Sequence, residues 1–335
     1  MADTPNRAVA VVGPTASGKT ALSLRLAERF SGEIVGCDSM QIYLGMDIGT
    51  AKATAEERAR VPHHLIDLLP PDRPFSAADY ADLALCAVRD ITSRGRLPIL
   101  CGGTGLYLEA ARSGRHEGLP PVPDGVREAL LREAEERGAA AMHAALREVD
   151  PISAAAIHPN NTRRVLRALE IYRTTGRPKS ELDEASRLRP PAMELLVFGL
   201  FPTDRDVLRE RIDRRVDAMV AEGLREEVAG LLSRGLLPEG GTAAAAIGYK
   251  EYVAALRGEL TEAEAIREIK VATHRYARRQ LTWFRAVPDL IPLDCDGSGV
   301  TAEAEQYAIE KIEEFIKSHP MKGIDYESTR LAGHH

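Results

Sequence analysis

Apolar residues gather in five short runs along this chain. "RAVAVVGP" (7–14), "GEIVGCDS" (32–39), "LPILCGGTG" (97–105), "MELLVFGL" (193–200) and "LIPLD" (290–294) each hold a few hydrophobic positions, too few for a helix. Such runs read as buried strands. Between them lie helical patterns, as in "GKTALSLRLAERF", where Leu22, Leu26 and Phe30 fall on one face. Strand alternating with helix predicts an α/β fold, a parallel sheet core flanked by helices. Residues 118–190 break this rhythm. Pro120, Pro121 and Pro123 are followed by helical stretches, clearest in "REALLREAEERGAAAMHAALREV" and "TRRVLRALEIYRTTG", with no strand pattern before Met193. The expectation is a catalytic core over 1–117 and 191–318, an inserted all-helical domain over 118–190, and a disordered tail over 319–335.

Composition narrows the class. The chain has 335 residues, 44% of them hydrophobic, and a net charge of -6. A general basic nucleic-acid binder is excluded, although a local basic patch is not. The four cysteines, Cys37, Cys86, Cys101 and Cys295, form no C-x-x-C pair. Neither a disulfide framework nor a zinc site is indicated, and a cytoplasmic setting is expected. No apolar run approaches the ~18–20 residues that span a bilayer.

The chemistry starts at "GPTASGKT", Gly13 to Thr20, which has the G-x-x-x-x-G-K-[ST] spacing of a phosphate loop. Gly13 and Gly18 let backbone N–H groups converge on phosphate oxygens, with Pro14, Thr15, Ala16 and Ser17 between them. The following helix adds its positive end. Lys19 supplies a charge, and the Thr20 hydroxyl can hold Mg²⁺. A nucleoside triphosphatase adds an acid after a later apolar strand. Here "LCGGTG" and "FGLFP" carry none, and Asp67 and Asp294 are weak substitutes. Asp38, at the end of the second run, is better placed. With Ser39 and Gln41 it offers an acceptor, a hydroxyl and an amide, a set suited to a nucleobase edge.

Taken in order, "GPTASGKT", "DSMQIYLGMDIGTAK", "PHHLID", "GGTGLY", "IHPNNTRRVLRALEIY" and "RYARRQLTWFR" resemble the motifs of bacterial tRNA dimethylallyltransferases, over about residues 8–287. The resemblance implies transfer of a dimethylallyl group from its diphosphate to N6 of the adenosine just 3′ of the anticodon, with Mg²⁺ as cofactor. It implies a P-loop-type core acting as a monomer on tRNA and dimethylallyl diphosphate, away from any membrane. By the same likeness Asp38 is the general base, and Thr104 and Lys19 lie at the reacting centre. Gly13 to Thr20 hold the diphosphate, with the metal on Thr20. Asp38, Ser39, Met40, Gln41 and Thr104 contact the adenosine. Arg163, Arg164, Val165, Leu166 and Arg167 touch tRNA, as does Arg127.

Other features carry both a structural and a chemical reading. Thr104 could cap the helix that follows it. His63 and His64 lack a third ligand nearby and read as structural. Arg211 and Arg215, four apart on one helix face, could reach a leaving diphosphate through their planar donors. "REIKVATHRYARRQLTWFR" sets six basic residues against the single acid Glu268. Its Arg275, Arg278 and Arg279 are expected on RNA phosphates, and Trp283 and Phe284 in the core. An adenylate isopentenyltransferase is the near alternative, but it needs no tRNA-gripping insertion. A P-loop nucleotide kinase is the more distant one.

Overall fold

A computed structural model describes residues 6–114, 123, 125–297 and 299–318. The segment 319–335, expected to be a disordered tail, lies outside them. The chain divides into two compact units, Met1–Gly114 with Ala192–His335, and Arg115–Pro191.

The larger unit is built on β1 (Asn6–Val12), whose residues from Ala8 to Val12 are wholly buried. A continuous apolar run suits a strand covered on both faces. The glycine-rich loop leads into α1 (Lys19–Arg29), then β2 (Glu33–Gly36), α2 (Ala55–Arg60), β3 (His63–His64) and α3 (Ala77–Ser93). Reciprocal side-chain caps begin α2 at Thr54 with Glu57 and α3 at Ser76 with Asp79. β4 (Pro98–Gly102) and α4 (Gly105–Ser113) follow. All strands are parallel, in the order β3-β2-β4-β1-β5-β6, with β5 and β6 supplied by later segments. Val9 lies opposite Ile99 on one side and Leu196 on the other. The pair β3 has no apolar run to announce it. It exists because His63 and His64 fall opposite Ile34 and Val35.

The smaller unit contains α5 (Val126–Val149), α6 (Pro151–Ala156), α7 (Thr162–Thr175) and α8 (Lys179–Arg187), with no strand among its described residues. Its own core joins Leu130, Met142, Leu146, Val165, Ala168 and Leu169. Gly138, at φ 78° and ψ 165°, interrupts α5.

The chain then returns to the sheet as β5 (Met193–Pro202), and continues through α9 (Arg205–Ala221), α10 (Leu224–Ser233), α11 (Tyr249–Leu256) and α12 (Glu262–Phe284). β6 (Ile291–Cys295) and α13 (Ala302–Ser318) complete it. Helices α9 to α12 form a further apolar cluster with Ile42, Tyr43 and Met46. This cluster meets the carboxyl ends of β1, β2 and β4, the edge of a parallel sheet where ligands bind. None of the described helices is long and apolar enough to cross a membrane.

Candidate active site

The loop after β1 is shaped by close approach. A Cβ on Gly13 would lie 3.0 Å from the Leu200 Cβ and 3.2 Å from its carbonyl oxygen. Ala16 sits at φ 62° and Gly18 at φ 94°, left-handed conformations that turn the loop into α1. Gly18 caps α1 without a side-chain bond, so the first-turn N–H groups keep their positive end for an anion. Lys19 crosses the loop to donate to the Pro14 carbonyl at 3.3 Å. Burial, and then the Arg215 guanidinium, pull its ammonium below the usual lysine range, while Asp38 acts in the opposite direction.

The ends of β2 and β4 are locked together. Cys37 N–H donates to the Cys101 carbonyl at 2.8 Å, and a Cβ on Gly102 would fall 2.0 Å from the Cys37 oxygen. Only glycine permits that approach. The Thr104 Oγ1 accepts from the Ser39 N–H at 3.0 Å. Thr104 thus occupies the cap position of α4 but makes no side-chain cap there. Its hydroxyl is directed to the end of β2 instead. Asp38 does both jobs its position allows. One carboxylate oxygen accepts from the Met40 N–H at 3.0 Å, closing a turn, and the residue lines the cavity. Gln41 donates to the carbonyls of Thr50 at 3.1 Å and Ala51 at 3.3 Å. Its donors are spent on the loop, which leaves its carbonyl oxygen for a ligand.

Thr15, Lys19, Thr20, Asp38, Ser39, Met40 and Gln41 line one cavity of about 320 Å³, whereas Thr104 stands behind Ser39 and is not part of its wall. Its wall combines Lys19, Thr20, Asp38 and Arg215 with apolar Val216, Met219, Leu224 and Ile269 and with polar Thr50, Thr242, Thr273 and Gln280. Arg215, on α9, is held below the usual arginine range by burial, with Asp38 countering. Arg211, one turn earlier, donates to the carbonyls of Asp296 at 3.0 Å and Gly297 at 3.2 Å, and its guanidinium lies 3.6 Å from where a Gly18 Cβ would stand. Both expected arginines therefore stand beside the phosphate loop. Cys101 also lines the cavity, but burial pushes its thiol up, so it stays protonated.

The weak acidic candidates resolve differently. Asp67 accepts from Lys52 at 2.6 Å and Arg58 at 2.7 Å, and is fully engaged in that network. Asp294 lies on β6, outside the cavity lining. His63 bonds the Val61 carbonyl and His64 the Glu33 carboxylate, each at 2.7 Å.

Several neighbours of the site are not among the residues that the sequence singles out. Gln280, 5% exposed on α12, accepts from the Thr15 N–H at 2.9 Å and donates to the Gly103 carbonyl at 2.8 Å. It ties the phosphate loop to the loop after β4. Its signal was a lone amide on the buried face of a helix, one turn before Phe284. Glu227 accepts from the N–H groups of Asp47, Ile48 and Gly49 and from the Tyr249 hydroxyl, fixing the loop whose carbonyls hold Gln41.

The basic candidates for tRNA are all exposed. Arg127, Arg163, Arg164, Arg275, Arg278 and Arg279 face solvent. Arg167 pairs with Glu170 at 2.5 Å. Val165 is wholly buried, so its side chain stabilises α7 instead of meeting RNA, and Leu166 is partly buried against the same core. On α12 part of the excess charge is answered by Lys270 on Asp217, and His274 bonds Asp213. Trp283, expected in the core, is 41% exposed, whereas Phe284 is buried. The ~100° step between helical neighbours separates them.

Residues 41–287 match the family model described as IPP transferase. A tRNA dimethylallyltransferase of Roseiflexus sp. (strain RS-1) is 51% identical over 300 residues, covering 88% of this chain and 95% of that protein. Among solved structures, the full-length tRNA isopentenylpyrophosphate transferase of Bacillus halodurans is 43% identical with a TM-score of 0.66, covering 98% of this chain and 100% of that one. A eukaryotic dimethylallyltransferase described as acting on tRNA is 29% identical with a TM-score of 0.80, covering 94% and 81%.

Proposed function

The chain belongs to the IPP transferase family, and from that premise we propose how its cavity carries out the transfer. The protein is a prenyltransferase that modifies tRNA. It moves a dimethylallyl group from dimethylallyl diphosphate to N6 of the adenosine at position 37, 3′ of the anticodon. The observation that carries the reading is one cavity lined by Asp38, Lys19 and Arg215 together with apolar Val216, Met219, Leu224 and Ile269. The apolar side chains suit a five-carbon chain, and the charged ones suit its diphosphate.

The adenosine leaves its stack to enter the cavity. The N6 lone pair forms the bond to C1 of the dimethylallyl group as the C1–oxygen bond breaks, and that electron pair leaves on the diphosphate. Asp38 takes the proton that N6 releases. The negative charge on the leaving group is met by the loop N–H groups, Lys19, Arg211 and Arg215. Ser39 and Thr104, already bonded to each other, hold the Asp38 turn beside the incoming base. No group of three or more Asp, Glu, His or Cys residues able to hold a metal ion is found among the described residues, while Thr20 lines the cavity. That donor set fits Mg²⁺ held by Thr20 and mainly by substrate oxygens and water; once bound, the ion would neutralise diphosphate charge.

Mass spectrometry of an anticodon stem-loop RNA after incubation with protein, Mg²⁺ and dimethylallyl diphosphate tests the reading. A dimethylallyl adduct on that adenosine is expected. Modification of AMP but not of the RNA overturns it in favour of an adenylate-directed enzyme.

A further inference from the structure

Trp283 is the only tryptophan in the chain, and it is 41% exposed at the end of α12. Its surroundings tie it to the reacting centre in two ways. First, its five-membered ring lies against Gly105. A Cβ there would fall 2.2 Å from both Cδ1 and Nε1 of the indole. Gly105 directly follows Thr104, whose hydroxyl holds Ser39 next to Asp38. Second, Tyr276, Arg279 and Trp283 are spaced three and four apart and share one face of α12. Tyr276 and Arg279 line the cavity, with the Arg279 guanidinium 5.5 Å from the Tyr276 ring centre. The stripe therefore runs from inside the cavity out to an open indole.

The charge around this indole selects the occupant. Arg275, Arg278, Arg279 and Arg285 all lie exposed on or just after the same helix. A polyanion with flat apolar faces matches an aromatic ring set among arginines. Unpaired RNA bases stack on such rings, and arginines hold the connecting phosphates. Extruding one base from a loop also leaves its neighbours without their stacking partner.

Building on the tRNA reading above, we propose that Trp283 is a second nucleobase site, a stacking platform for the unpaired base adjacent to the adenosine that enters the cavity. The buried residues of the helix hold the platform in place. Phe284 is in the core and Gln280 is bonded to both loops, so the indole is presented from a fixed backbone.

A single tryptophan makes the site directly observable. Anticodon stem-loop RNA is titrated into the protein while indole emission and the anisotropy of labelled RNA are followed together. Quenching that parallels binding is expected. Two further RNAs carry an abasic nucleotide immediately 5′ or immediately 3′ of the reacting adenosine. One of them should bind without quenching, which identifies the stacked base. Trp283→Ala should weaken RNA affinity about tenfold and Trp283→Phe by less than about threefold, the scale of one base–aromatic stack. RNA binding with unchanged emission, or quenching retained by both abasic RNAs, overturns the platform and leaves the transfer reading standing. So does a Trp283→Ala variant that binds RNA like the parent. No anisotropy change with any RNA sinks the tRNA reading itself, and the platform with it.

Discussion

Asp38 carries the sharpest expectation for a single side chain. It closes a turn through the Met40 N–H and also faces the cavity. Asp38→Asn can no longer take a proton, and the single-turnover transfer rate should fall by ~10²–10⁴-fold. RNA and diphosphate affinities should change far less. Transfer near the parental rate with both substrates saturating would falsify the general-base role. Glu33 gives a pH prediction away from the site. Arg94, and then His64, hold its carboxyl down at about 2, against burial and an ordinary value of 4.5. A depressed carboxyl contributes stability that is complete above 4.5 and is lost as pH falls through about 2. Glu33→Gln removes that titration. Chemical denaturation between pH 5 and 2 should show a steeper stability loss in the parent than in the variant; parallel curves would mean that the pair contributes nothing.

At the scale of the element, α7 and the loop at residues 47–51 can be separated. Arg163 and Arg164 project from α7 into solvent, and Arg167 is exposed although paired with Glu170. Replacing all three by alanine should weaken tRNA binding and make its salt dependence shallower, by roughly 2–3 in the log–log slope if each meets one phosphate. Dimethylallyl diphosphate affinity should stay unchanged. Unaltered tRNA affinity would assign α7 another role. Glu227 instead acts by holding a loop. It receives three backbone N–H groups and the hydroxyl of fully buried Tyr249. Glu227→Ala leaves these donors without an acceptor and should cost about 2–4 kcal/mol, read as a lower thermal midpoint. Because the Thr50 and Ala51 carbonyls that hold Gln41 belong to this loop, transfer should also slow.

For the whole molecule, the division into two units sets what each can affect. Residues 115–191 carry their own core, and Leu146 is wholly buried in it. Leu146→Ala should destabilise that unit by ~2–5 kcal/mol, leaving diphosphate affinity, measured by calorimetry, as in the parent. A diphosphate ligand at a hundredfold excess over its dissociation constant should stabilise the larger unit by about 2.7 kcal/mol. ATP at the same concentration should do so less. An equal or larger shift with ATP would return the loop to the nucleotide-kinase reading.

Much of this protein was legible along the chain because the signals are local. Apolar runs announce five of the six strands, most plainly β1, β2 and β4, which are buried along nearly their whole length, while β6 at the sheet edge alternates buried and exposed positions. The phosphate loop declares itself because its glycines answer to backbone geometry within eight residues. The grouping of Gly13–Thr20, Asp38 and Thr104 follows from strand ends meeting at one edge of a parallel sheet. What the chain could not show depends on which residues meet across long separations. The strand at His63–His64 exists only through its pairing with β2. Gln280 reaches Thr15 across 265 positions, and although it falls on the buried face of α12, nothing local names the partner it meets there. The opposite fates of Trp283 and Phe284, and the burial of Val165 beside exposed Arg164, turn on helix rotation against a neighbouring surface. A propensity or a motif names what a residue can do; packing decides which face it turns toward the site.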